Sequence, residues 1–164
     1  MSLLPAWAPN LHPLLVHFPV SLLLGAAAVD MMSLLMPTRP AVRDAATLFY
    51  CAGALMAMAA YFSGLSAAQH MAVSPEASAA VTAHFTWADR TTWFFVFFAS
   101  LRIALSYIWR PAAHWAAIAA FVVALAGLGM LAVTADRGGR LVFRHGLGVA
   151  SVPSAGQLWT MPGN

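Results

Sequence analysis

The hydrophobic pattern breaks into four long apolar runs separated by short polar or proline-bearing connections. A helix needs about 20 apolar residues to cross the hydrocarbon of a bilayer. The first run extends from about Leu14 to Met36 and stops at a segment bearing Pro37, Arg39 and Pro40. The second covers about Ala45 to Ala67, with room to continue to His70. After a connection over Met71–Ser78, the third begins near Ala79, becomes fully apolar at Trp93 and reaches Trp109, where Arg110 and Pro111 break it. The fourth covers about Ala112 to Thr134, with a turn expected at Gly138 and Gly139 and a polar tail beyond. Only helices and closed barrels satisfy backbone groups in lipid. The pattern therefore predicts an all-α integral membrane four-helix bundle over residues 1–149, followed by a tail over 150–164. Pro19 is expected to kink the first helix just inside the membrane. The small residues of runs two and four, among them Gly53, Ala57, Gly64, Gly127 and Gly129, predict close helix packing.

Composition supports this class. The chain is 62% hydrophobic and 8% charged, far below the roughly 25% charge of soluble domains. It has no lysine, and its eight arginines are scattered around the apolar runs, which argues against a nucleic-acid partner. Cys51 is the single cysteine, so neither an internal disulfide nor a covalently attached c-type haem is available. Residues 1–13 lack the basic start of a secretory signal, so the first span is expected to be retained. The positive side next to the first span follows it, which predicts both termini on the periplasmic side of a bacterial inner membrane.

In this topology His12, His17, His70, His84 and His145 fall near one face, and only His114 near the other. A layer of imidazoles suits a b-type haem, which takes two neutral histidines from different helices and cations near its propionates. His17 and His84 form the preferred axial pair for the haem iron, with His145 in reserve. His12, five residues before His17, is read as a helix cap or supporting partner. Arg90, Arg137, Arg140 and Arg144 are placed to meet propionates, and Phe18, Phe85, Trp87 and Trp93 to wall the slot. His70 and His114 read as ordinary hydrogen-bonded side chains. Asp30 and Arg102, lone ionisable groups deep in their spans, are expected to pair. The alternatives are a bare copper or zinc ion on the imidazoles, or histidines that only hydrogen-bond in a non-redox anchor subunit. No paired carboxylates, activated nucleophile or phosphate-cradling loop is present, so chemistry confined to this chain is not expected. As an electron-transfer subunit it would work in the lipid bilayer with a periplasmic redox protein, quinone or other membrane subunits.

Two end motifs carry a family resemblance. The first is His-Pro-Leu-Leu-Val-His-Phe-Pro, His12 to Pro19, with Asp30 downstream; the second is Gly-Gly-Arg-Leu-Val-Phe-Arg-His-Gly-Leu-Gly-Val, Gly138 to Val149. Together with Ser63-Gly64-Leu65 and His84 between them, they make residues 11–149 resemble a bacterial membrane-protein family catalogued as domain of unknown function 2231. The aspartate that often follows the small-Gly-Leu motif there is absent, with Ser66-Ala67-Ala68 in its place. That family is similar to four-helix b-type cytochromes in span number and histidine placement. The resemblance implies functional positions at His12, His17, His84 and His145.

Overall fold

The computed structural model describes residues 10–108 and 114–149. The tail over 150–164 and the expected break at Arg110-Pro111 lie outside them. The described residues form five α-helices and one π-helical turn, with no strand among them. Asn10 opens the first helix by accepting the His12 backbone N–H (3.0 Å). Helix α1 spans His12–Leu15 and α2 spans His17–Leu35, with Val16 between them. The position of that break follows from Pro19, whose ring conflicts with the carbonyl four residues earlier, at Leu15.

Helix α3 spans Pro40–Gln69, five residues longer at its start than the apolar pattern suggests, because Pro40 is at ease in a first turn. Helix α4 spans Pro75–Ile103. It begins four residues earlier than expected: the Ser74 hydroxyl accepts the Ala77 N–H (3.3 Å), Pro75 opens the first turn, and Glu76 sits at the positive end of the helix dipole. The stretch expected to be a connection thus contains the helix start. A π-helical turn over Ala104–Ile108 follows α4.

Helix α5 spans His114–His145 and runs straight through Gly138 and Gly139, where a turn was expected. Arg140 bridges Asp136 one turn earlier (2.8 Å) across this stretch, and Gly138 serves packing instead. The helix ends at Gly146, whose left-handed φ of 62° accompanies an N–H bond to the Val142 carbonyl (3.0 Å).

Three helical segments are long and apolar enough to cross a membrane: His12–Leu35, Pro40–Gln69 and His114–His145. The fourth run differs from expectation. As a helix, α4 carries Asp89, Arg90 and Arg102 in its C-terminal half, and these dilute its apolar stretch. Among the described residues α2 packs on α3 and α5, and α4 packs on the same two, while no Cα of α2 comes within 8 Å of one in α4. Helices α2 and α4 therefore face each other across a diagonal filled by side chains. Leu23, Tyr50, Phe95 and Phe98 form the centre with Ala26, Ala54, Ala99, Ala120 and Ala124. Tyr50 meets Phe98 edge-on at 4.9 Å between ring centroids. The aromatics of α4 are thus split: Phe95 and Phe98 are core, whereas Trp93 and Phe97 face outward. The outer surface is apolar, with Phe97, Trp115, Leu48, Leu55 and Val122 all exposed. Gly53 and Gly127 are close-packed as expected, against Leu23 and Phe94, but Gly129 meets nothing.

Candidate functional site

One polar contact bridges the α2–α4 diagonal, and a layer of histidines lies toward the opposite end of the bundle. At one end the Arg102 guanidinium binds the Asp30 carboxylate with both arms, Nη2 to Oδ1 at 2.8 Å and Nη1 to Oδ2 at 3.0 Å. Both side chains are buried, 4% and 2% exposed. The Ser33 hydroxyl donates to the Asp30 backbone carbonyl (2.7 Å) and lies 3.3 Å from Asp30 Oδ1, and the Tyr50 ring lies 5.4 Å from the guanidinium carbon. The pairing expected from sequence is present, in bidentate form.

At the other end stand His12 and His84. The His12 Nδ1 donates to the Ala60 carbonyl (2.9 Å) and lies 3.1 Å from the Ser63 hydroxyl, which itself donates to Ala60 (2.8 Å). The His84 Nδ1 donates to the Thr134 carbonyl (3.2 Å). The Thr134 hydroxyl donates to Met130 (2.9 Å) and receives that of Thr91 (2.8 Å), which fixes α5 against α4 at this level. Each ring is seated over a glycine of the adjoining helix. A Cβ on Gly64 would stand 2.8 Å from His12 Cε1, and one on Gly138 would stand 3.1 Å from His84 Cε1. Any other residue at either position would push the ring away.

A carbonyl only accepts, so each Nδ1 carries a proton, and in a neutral ring Nε2 then holds the lone pair. Neither Nε2 makes a hydrogen bond among the described residues. The two rings lie close enough to act on each other electrostatically, and Arg137 acts on His84 in the same way. The Arg137 guanidinium sits over the Trp87 ring at 5.7 Å and keeps a buried Nε–H without an acceptor. One layer thus holds two oriented imidazoles, a cation and an indole, drawn from α1, α4 and α5, with α3 supplying the carbonyl that holds His12.

The other candidates are arranged differently. His17 is exposed at the start of α2, where only its backbone carbonyl is engaged, by Ser21 (2.9 Å). His12 and His84, by contrast, are each half-buried and bonded to a backbone carbonyl of a neighbouring helix. His145 and Arg144 are exposed at the end of α5, Arg90 is exposed on α4, and Arg140 is held by Asp136 at the surface. Phe18, Phe85 and Trp93 are exposed, and the Trp93 indole donates to Asp89 (3.1 Å). His70 is exposed and bonded to Ser66 within its own helix (2.8 Å), as its bland reading expects, and His114 is exposed. Gly64, Gly138, Ser63 and Thr134 escaped the sequence reading as site residues. Their signal was the small residue on the helix facing each histidine.

A family profile described as "Predicted membrane protein (DUF2231)" matches residues 8–151. The chain belongs to the DUF2231 family. Both end motifs, the glycine seats and the paired imidazoles lie inside the matched span. No curated protein and no solved structure matches the chain. Among the described residues no group of three or more histidine, cysteine or carboxylate side chains is placed to hold a metal ion.

Proposed function

We propose that this DUF2231 protein is a membrane electron-transfer subunit that binds haem b between His12 and His84, in a four-span bundle with both termini at the periplasmic face of the bacterial inner membrane. One observation carries the reading. Two histidines from diagonally opposed helices each fix Nδ1 on a backbone carbonyl and leave Nε2 unpartnered. That is the orientation a metal-ligating imidazole is given by its supporting shell. Haem, when bound, supplies the one-electron carrier. The chain's own residues do the rest: Ala60, Ser63 and Thr134 hold the rings, Gly64 and Gly138 let them lie close to the helices, and Arg137 offers a cation to a propionate. A periplasmic redox protein, quinone or another membrane subunit would exchange the electron.

The glycine seats also favour a second reading, a non-redox anchor subunit in which the two rings are struts across the diagonal. Visible spectra of the detergent-purified protein, oxidised and dithionite-reduced, separate the two. The haem reading expects a reduced α band that His12→Ala and His84→Ala remove and His114→Ala keeps. A colourless preparation from haem-replete cells leaves the anchor. Loss of the band in His17→Ala with retention in His12→Ala would move the axial role to His17.

A further inference from the structure

Phe85, Asp89 and Trp93 stand at four-residue intervals on α4 and so share one stripe of its surface. Phe85 and Trp93 are exposed, and Asp89 is half-buried between them. The Trp93 indole donates to Asp89 Oδ1 (3.1 Å). From α3, the Tyr61 ring packs against Phe85 with centroids 5.5 Å apart, and its hydroxyl is close enough to Asp89 for the two to act on each other electrostatically. Phe62, also exposed, meets Tyr61 edge-on at 5.4 Å. The α3–α4 seam therefore carries one carboxylate in a patch of four aromatic rings.

The level of that carboxylate is fixed by its neighbours on α4. Asp89 lies between His84 and Thr91, and both bond to Thr134, where the apolar run of α5 ends. Asp89 is thus carried at the end of the apolar stretch. It makes no ion pair among the described residues: Arg102 is taken by Asp30 and Arg140 by Asp136, while Arg90, next in sequence, is turned about 100° around the helix and exposed. The indole and the phenol beside Asp89 are neutral, so they orient the carboxylate and leave its charge standing. Ionisable groups at the membrane are normally paired. The cation that fits is a primary ammonium, which brings N–H donors to the carboxylate and is drawn to the faces of the surrounding rings. A quinol would donate a hydrogen bond and leave the charge, and a trimethylammonium group has no N–H to donate.

We propose that the α3–α4 seam binds an ethanolamine phospholipid, its headgroup ammonium held by Asp89 among Tyr61, Phe85 and Trp93. The site is independent of anything bound at the histidine layer. The test is the thermal midpoint of the delipidated full chain in detergent, titrated with phosphatidylethanolamine, phosphatidylcholine or phosphatidylglycerol of identical acyl chains. Phosphatidylethanolamine is expected to raise the midpoint by about 2–4 °C and then saturate, and the other two are not. Asp89→Asn is expected to remove that preference, and Glu76→Gln, which changes an exposed carboxylate at the start of α4, to keep it. The preference is read between lipids within each variant, so a lower baseline stability does not imitate its loss. Native mass spectra should show one retained phosphatidylethanolamine on the native chain and none on Asp89→Asn. Equal responses to the three lipids, or an Asp89→Asn protein that still prefers phosphatidylethanolamine, overturn the proposal. So does a soluble quinol analogue that stabilises the native chain through Asp89 where phosphatidylethanolamine does not.

Discussion

Asp30 and Arg102 reach each other across the diagonal of the helix packing, 72 positions apart in sequence, through two hydrogen bonds of 2.8 and 3.0 Å. The backbones that carry them make no close approach, so this pair links α2 to α4 directly at that depth. Removing one partner strands the other as a buried charge. Asp30→Ala or Arg102→Ala should therefore each cost about 3–5 kcal/mol. The double variant Asp30→Leu with Arg102→Met should cost less than either, because no charge is left behind. Thermal midpoints of the detergent-solubilised variants check both statements.

The glycine seats make a sharper prediction. Gly64→Ala and Gly138→Ala should displace the His12 and His84 rings and reduce haem content in the spectroscopic assay. Gly129, also on α5, has nothing within 4 Å of a built Cβ. Gly129→Ala should leave the spectrum unchanged and gain up to about 1 kcal/mol from helix propensity. Equal effects at Gly138 and Gly129 would mean that the seats do not matter.

Ser63 and Ala60 both stand at His12 Nδ1, but only the Ala60 carbonyl is beyond the reach of mutation. Ser63→Ala should therefore keep haem, with affinity reduced by about tenfold or less, at the mild end of supporting-shell effects. Haem titration of the apoprotein reads this directly.

Arg137 lies within electrostatic reach of His84. Taking away a positive charge there favours the oxidised, more positive iron. Arg137→Gln should lower the haem midpoint potential, and a redox titration measures the shift. Arg140→Gln removes only an exposed pair with Asp136, each side chain more than half exposed. It should change stability by no more than about 0.5 kcal/mol and leave the potential nearly unmoved.

What the sequence made legible was what lipid enforces everywhere. The apolar runs had to be helices, and two isolated charges in different runs had to find each other. What it hid was where a local signal has two meanings. Gly138-Gly139 reads as a turn from the chain alone, yet the same missing Cβ is what a histidine ring on another helix requires. Ser74-Pro75-Glu76 looked like a polar connection, although each of its residues suits a helix start. His12 meets α3 while His17 is exposed beyond the break at Val16, and that difference in ring direction is tertiary. Ser63-Gly64 was visible as a motif, but its partner His12 lies about fifty residues upstream, and only packing joins them.

Helix α5 has 32 residues, so it is about 48 Å long, against hydrocarbon about 30 Å thick. Its apolar portion is spent by Thr134, and Gly138 with the His84 ring lies beyond that point. The imidazole layer therefore lies at the end of the apolar stretch and not at its middle. Under the proposed haem reading, a soluble carrier docking on the rim would reach that layer without entering the lipid.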